Sequence, residues 1–189
     1  MSLEIFSSDT DLPELITRLR LVQPEQAFLL GGRAVERRVG QTALMAARHA
    51  FAVAPTRDID LSLSAVDYRT QRKRTDVPSK HIRHRFPRRE REGIYTVQSL
   101  IVDDNDQLYD IWRDRWYEPA RHPLGIIAVS ELYDNSVWDA ELGINVPTRE
   151  YLIAQHQRSV TFLTGKDQRT RTEQTRLAKD QADLTALTA

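Results

Sequence analysis

The chain has 189 residues, of which 40% are hydrophobic and 29% are charged, and it contains no cysteine. A chain of this size can bury a core as one folded unit, and the missing cysteines exclude disulfides and thiolate metal sites. Lys and Arg balance Asp and Glu at 27 each, and no stretch approaches 18 apolar residues. We therefore expect a cytoplasmic protein with no signal peptide and no membrane span.

The neutral net charge hides an uneven distribution. Residues 69–91 contain ten Lys or Arg against two acids, so this basic segment carries a net charge of +8 and the rest of the chain carries −8. Such a segment can contact a polyanion, and a solvated loop is the alternative that the sequence leaves open.

The first predicted elements are helical and surround one short strand. A short amphipathic helix is predicted near the start of the chain, and its apolar face is formed by Leu12, Leu15, Ile16 and Leu19. A buried strand over residues 27–30 follows and runs into Gly31-Gly32, after which residues 33–39 and residues 41–53 are predicted to be helical.

Two carboxylates lie two positions apart in the next strand-like segment. Successive side chains of a strand point to opposite faces, so Asp58 and Asp60 are predicted to share one face, roughly 7 Å apart. Left alone they would repel each other, whereas a divalent cation would turn the repulsion into a binding site. The alternative is an ordinary polar face of an antiparallel sheet.

A hairpin is predicted after the basic segment. Residues 94–102 alternate in polarity, residues 103–106 form the turn, and residues 107–112 return as a strand. Asp110 lies inside that returning strand, where Asp is disfavoured unless the position is wet or belongs to a site.

The remaining pattern completes an α+β fold: a mixed β-sheet with flanking helices and a helical C-terminal portion. Two short strands are predicted at residues 124–129 and 144–146, and two helices at residues 147–163 and 170–187. We divide the chain into a core over residues 1–146, with the basic segment as an insert, and a C-terminal portion over residues 147–189.

The diglycine and the acids suit phosphate chemistry when they are taken together. A diglycine turn between a strand and a helix lets backbone N–H groups approach a phosphate, because no Cβ stands in the way. Metal ions on Asp58 and Asp60 could bind the same phosphate. Alone, Gly31-Gly32 would mark only a tight turn.

This order of elements resembles the nucleotidyltransferase superfamily related to DNA polymerase β, and most closely its abortive-infection type, many of which are toxins of toxin–antitoxin pairs. The matching segments are Leu-Leu-Gly-Gly-Arg-Ala-Val at 29–35, Thr-Arg-Asp-Ile-Asp-Leu at 56–61, Tyr-Asp-Ile at 109–111, Pro-Thr-Arg-Glu-Tyr-Leu-Ile-Ala-Gln-His at 147–156, and Arg-Leu-Ala-Lys-Asp-Gln-Ala-Asp-Leu at 176–184. The resemblance implies a nucleotidyltransferase-like mixed sheet.

The resemblance also implies roles for individual residues. Asp58, Asp60 and Asp110 would hold Mg²⁺ or Mn²⁺, as two ions, while an acceptor hydroxyl attacks the α-phosphorus of a nucleoside triphosphate such as ATP. Asp180 matches a further family acid and is a fourth catalytic candidate; pairing within the terminal helices, as expected of Asp183, is the alternative. The nucleotide-binding candidates are Gly31, Gly32, Arg33, Arg57 and His156.

One substitution weakens the resemblance. His156 occupies the position of a family lysine, and histidine does not provide a permanent cation at neutral pH. Three hypotheses therefore remain: transfer to tRNA or another RNA bound by residues 69–91, with an antitoxin protein as partner; transfer to a cationic small molecule resembling an aminoglycoside; and a degenerate member of the fold that binds nucleotide or protein without turnover.

Overall fold

The computed structural model describes residues 12–55, 58–73, 82–85, 98–102, 108–113 and 129–189. Within these ranges the protein has an α+β fold, as predicted. The helices are α1 (Leu12–Thr17), α2 (Gly31–Val39), α3 (Gln41–Ala50), α4 (Ala65–Arg72), α5 (Val129–Asp134), α6 (Arg149–Thr164) and α7 (Arg171–Thr188). The strands are β1 (Phe28–Leu30), β2 (Ile59–Leu63), β3 (Ile82–Arg85), β4 (Gln98–Val102), β5 (Leu108–Arg113), β6 (Ser136–Asp139) and β7 (Ile144–Pro147).

The described strands form one mixed sheet in the order β3-β4-β5-β2-β1-β7-β6. At its centre β2 runs antiparallel to β1 and parallel to β5, and β1 is also parallel to β7. Two antiparallel pairs, β3 with β4 and β6 with β7, lie toward the two edges. The pairing of β4 with β5 confirms the predicted hairpin, although its turn lies outside the described residues.

Strand β2 divides the apolar core from the polar face. Ile59, Leu61 and Leu63 alternate along the strand and are fully buried in the main hydrophobic cluster, which also contains Leu29 and Ile111. Because side chains alternate across a strand, Asp60 lies on the opposite face. The predicted alternation is thus confirmed for β2, except that the strand begins at Ile59, so Asp58 immediately precedes it.

The two predicted C-terminal helices are present and have polar caps. Thr148 precedes α6 and its side chain accepts a hydrogen bond from the Tyr151 amide. Thr170 forms a capping box with Glu173 at the start of α7. A buried ion pair between Arg48 of α3 and Asp183 holds α7 against the core, so Asp183 does pair, but with a core helix and not within the terminal helices.

Four elements were not predicted: α4, β3, α5 and β6. Helix α4 begins after Ser64, whose hydroxyl accepts a hydrogen bond from the Asp67 amide, and it includes the start of the basic segment. Helix α5 and strand β6 also went unrecognised, and a predicted strand at residues 124–129 falls outside the described residues except for Val129, which begins α5. The segment 69–91 is therefore not simply a loop, since it contributes residues to α4 and to β3. In the described part of the chain, every helix is too short or too polar to cross a lipid bilayer.

Candidate functional site

The predicted acids come together where the centre of the sheet meets the start of α2. Leu30, the last residue of β1, is in register with Asp60 of β2, and α2 begins at the next residue, Gly31. On the other side of β2, Asp60 is in register with Asp110 of β5. The topology thus places Asp58, Asp60 and Asp110 at adjoining backbone positions, although they are far apart in sequence.

Gly31 makes the close contact between α2 and the acids possible. It has a positive φ of 59°, and a Cβ built on it would overlap Asp60 Oδ2 and lie 3.0 Å from Asp60 Cγ. A side chain at this position would therefore be strained and would also displace the carboxylate. The diglycine is explained by this contact with Asp60 as well as by the turn.

We expect Gly31→Ala to destabilise the protein and to weaken any metal binding at Asp60. The matched control is Gly143→Ala, because Gly143 has a similar φ of 64° but open space around its missing Cβ. Backbone strain alone costs about 1 kcal/mol of folding stability, so Gly143→Ala should lose about that much. Gly31→Ala should lose more, because its Cβ also overlaps Asp60. Equal loss in the two variants, measured by denaturant unfolding, would contradict the overlap with Asp60.

Burial and charge repulsion act together on Asp60. Burial raises the pKa of Asp60, the neighbouring charge of Asp58 raises it further, and the result is a pKa of about 6. The positive charges of Lys179 and Arg176 act in the opposite direction, so these two α7 side chains lie within electrostatic range of Asp60. A carboxylate with this environment is costly to ionise without a cation, which suits a metal ligand.

Lys179 and Arg176 are site residues that the sequence reasoning missed. The segment Arg-Leu-Ala-Lys at 176–179 places both cations on one face of a helix, because residues three apart are neighbours there. That spacing alone indicates a basic helix face and not a site. The action of both charges on Asp60 shows that this face lies near the end of β2.

Asp180 is buried in a hydrogen-bonded cluster between α6 and α7. Its carboxylate accepts hydrogen bonds from Ser159 Oγ at 2.5 Å and Arg176 Nε at 2.7 Å, and lies 3.2 Å from His156 Nδ1. Burial alone would raise the pKa of Asp180, but its contacts with His156, Arg176 and Ser159 hold the pKa below its usual value. These contacts favour the pairing role that the sequence left open, and the catalytic role of Asp180 stays a prediction.

His156 is a buried residue of α6. It is 7% exposed and packs against Asp180. Its imidazole therefore has a structural partner already, and no described contact directs it to a nucleotide.

Arg33 lies in the first turn of α2 with an unused donor. The residue is 7% exposed, and its Nη1 donates to both carboxylate oxygens of Glu36, at 3.0 and 3.2 Å. Among the described residues its Nε has no partner, and the N-cap residue Leu30 offers no side-chain cap to the helix. A buried guanidinium N–H without a partner and helix amides without a side-chain cap are both donors that suit an anion.

The described side chains alone do not complete a metal site. No group of three or more His, Asp or Glu side chains suited to a metal occurs among them, and the side chain of Asp110 is outside that set. Asp58 and Asp60 still have the hard oxygen ligands that Mg²⁺ and Mn²⁺ prefer. Arg57, another predicted binding residue, lies outside the described residues, whereas Gly32 is buried in α2.

Comparison with known proteins does not assign the chain to a family. No protein-family model, no curated protein and no solved structure matches the chain. The resemblance to nucleotidyltransferases therefore stays a prediction, and the functional argument depends on the geometry of the site.

Proposed function

We propose that the protein is a metal-dependent nucleotidyltransferase that moves a nucleoside monophosphate from a nucleoside triphosphate to an acceptor hydroxyl. The observation that carries the proposal is the register of Asp60 with Asp110, combined with the contact between Gly31 and Asp60. A diglycine at a strand-to-helix junction, two acids at the start of the antiparallel strand and a third acid on the parallel neighbour form the arrangement that the resemblance implies. Local sequence pattern alone would not bring these positions together.

The residues of the site divide into two chemical sets. Asp58, Asp60 and Asp110 are the acids that would hold Mg²⁺ or Mn²⁺, and such ions would lower the pKa of the acceptor hydroxyl and neutralise charge on the phosphates. The first turn of α2 and Arg33 offer N–H donors to phosphate oxygens. The acids and the phosphate donors adjoin at the junction of Leu30 and Gly31.

Lys179 supplies the permanent cation that His156 does not. Its charge acts on Asp60, so it lies near the acids where a triphosphate would bind. In the proposed reaction the acceptor oxygen forms a bond to the α-phosphorus, the bond from the α-phosphorus to the bridging oxygen breaks, and pyrophosphate leaves. Lys179 and Arg176 would stabilise the negative charge of that leaving group.

The acceptor that we favour is tRNA or another RNA, in a cytoplasmic setting, with residues 69–91 making contacts to phosphates. A cationic, aminoglycoside-like small molecule is the alternative acceptor. An antitoxin protein is the partner that the toxin resemblance implies.

A second candidate function is nucleotide binding without turnover. The observation that favours it is the pairing of His156 with Asp180, which withdraws two of the expected functional residues into a structural cluster. Metal-dependent nucleotide binding is common to both candidates, whereas transfer distinguishes them.

Calorimetric titration with a nonhydrolysable nucleoside triphosphate tests the shared part of the proposal. We expect binding that requires Mg²⁺ or Mn²⁺ and that is lost in the Asp58→Ala, Asp60→Ala double variant. Asp167→Ala removes an exposed carboxylate elsewhere and should bind as the wild type does. Binding that persists in the double variant, or that needs no metal, would refute the assignment of the acids.

A further inference from the structure

Strand β6 forms one edge of the described sheet and exposes one apolar side chain on each face. It pairs with β7, and among the described residues no strand lies on its other side. Val137 and Trp138 are consecutive and so lie on opposite faces, yet they are 48% and 50% exposed. Sheet edges are usually protected by lysine, proline or a bulge, and the sequence of β6, Ser-Val-Trp-Asp, offers neither lysine nor proline.

This edge is also acidic. Residues 129–148 contain four acids and no Lys, Arg or His. Arg37 of α2 pairs with Asp139, at 2.7 and 2.9 Å, and with Glu141. Arg38 of α2 also acts electrostatically on Asp139 and donates to the Val146 and Pro147 carbonyls of β7, so two arginines lie near the four acids and the balance stays negative.

The opposite edge of the same sheet is basic. Strand β3 has the sequence Ile-Arg-His-Arg and lies within the basic segment 69–91. Among the described residues it pairs only with β4, and like β6 it has four residues. The two edges thus match in length and are opposite in charge.

We propose that β6 of one copy of the protein pairs with β3 of a second copy, so that the sheet continues from one molecule to the next. Opposite charges facing each other across paired strands are favourable, whereas pairing of β6 with another β6 would bring acids against acids. The contact is head-to-tail, so it produces rings if it closes and open chains if it does not. This assembly does not require transferase activity, but β3 lies within residues 69–91, the segment proposed to contact RNA phosphates, so a paired β3 and a bound RNA would compete.

Sedimentation velocity of nuclease-treated wild-type protein is the first measurement. We expect association that increases with protein concentration and weakens when salt is raised from about 0.1 M to about 1 M, which shortens the Debye length from about 10 Å to about 3 Å. Nuclease treatment excludes bridging by RNA. A wild-type protein that stays monomeric throughout would overturn the proposal.

Two variants with one damaged edge each make the test specific. Asp134→Lys, at the end of α5, with Trp138→Lys adds positive charge at and beside β6, and Arg83→Glu with Arg85→Glu makes β3 acidic. Each variant alone should associate at least about tenfold more weakly, because favourable charge pairs become like-charge pairs. An equimolar mixture should recover association, because the intact β6 of one variant can pair with the intact β3 of the other and the two altered edges are again opposite in charge.

The control variant is Val22→Lys, which changes an exposed apolar residue that belongs to neither β3 nor β6 and should associate as the wild type does. Association of the β3 variant alone would indicate pairing of β6 with itself and would overturn the proposal, as would a mixture that stays monomeric. Amide hydrogen exchange of the wild-type protein tests the same contact without any variant, so it does not depend on the variants folding. Residues 82–85 and 136–139 should gain protection as the concentration rises, and protection elsewhere only would contradict the proposed contact.

Discussion

Replacing Asp60 by asparagine is expected to stabilise the metal-free protein at neutral pH and to abolish nucleotidyl transfer. The folded protein raises the pKa of Asp60 from 3.8 to about 6, chiefly by burial, so ionising this carboxylate costs folding free energy. At 1.36 kcal/mol per pKa unit, that cost approaches about 3 kcal/mol above pH 6. Asparagine has a similar shape and carries no charge, so the variant avoids the cost.

The stabilisation by Asp60→Asn should depend on pH. A group whose pKa is raised by folding favours the folded state below its unfolded pKa, and the benefit is lost as the pH rises through its folded pKa. The difference in unfolding free energy between Asp60→Asn and wild type should therefore be near zero at about pH 3, below the unfolded pKa, and should increase up to about pH 7. Urea unfolding over that range, in chelator, measures it.

Asp67→Asn is the matched control for the Asp60 variant. Asp67 is also buried, but its carboxylate accepts hydrogen bonds from the amides of Val22, at 2.7 Å, and Gln23, at 2.9 Å. Its substitution should destabilise the protein at neutral pH, because one acceptor becomes a donor that faces an amide. If Asp60→Asn is destabilising as well, Asp60 is a structural carboxylate. The interpretation that its ionisation costs folding free energy is then wrong.

The same Asp60 variant should lose transfer activity. Metal ions contribute several kcal/mol to the stabilisation of a transition state, and each 1.36 kcal/mol is a factor of ten in rate. We therefore expect a loss of about 10³-fold or more in kcat/KM. A gain in stability together with this loss of activity is typical of a residue kept for function and not for folding.

Asp183→Ala is expected to cause the largest loss of stability. Arg48 and Asp183 are 1% and 0% exposed, and they form two hydrogen bonds, from Nε to Oδ1 at 2.9 Å and from Nη2 to Oδ2 at 3.2 Å. Removing Asp183 takes away this buried counter-charge of Arg48, and breaking a buried pair in this way costs about 3–5 kcal/mol. The variant should unfold at a much lower denaturant concentration than the wild type.

An exposed ion pair provides the comparison for Asp183. Arg18 and Glu14 form a pair at 2.6 Å on the surface of the first helical segment, and Glu14→Ala should change stability little, because exposed pairs contribute little. The double variant Arg48→Met, Asp183→Leu should recover most of the loss, since apolar groups of similar size avoid the buried charge. A double variant as unstable as Asp183→Ala would show that other contacts of Arg48 dominate.

The sequence was a good guide where periodicity and capping acted locally. The terminal helices were predictable because Thr148 and Thr170 are strong caps that precede helical patterns. The β4 and β5 hairpin was predictable from alternation around a polar turn. Strand β6 has only two apolar residues and most residues of α4 are polar, so neither shows an extended apolar pattern from which it could be predicted.

The candidate site was only partly predictable, because register and helix packing depend on tertiary structure. Asp58 and Asp60 were evident from their spacing, but the sequence alone does not specify that Asp60 is in register with Asp110. The approach of Lys179 to Asp60 and the pairing of His156 with Asp180 both depend on how α6 and α7 pack. Family resemblance suggested a role for His156, whereas packing gave it a structural partner.

The most direct test of nucleotidyl transfer compares two positions of a radioactive label in the same nucleoside triphosphate. Wild-type protein is incubated with Mg²⁺ or Mn²⁺ and with total tRNA or aminoglycosides, using nucleotides labelled at the α-phosphate or at the γ-phosphate. We predict that acceptor becomes labelled from the α-position alone, and that the Asp58→Ala, Asp60→Ala variant transfers nothing. Label transferred from the γ-position, or equal transfer by the variant, would contradict nucleotidyl transfer at these acids.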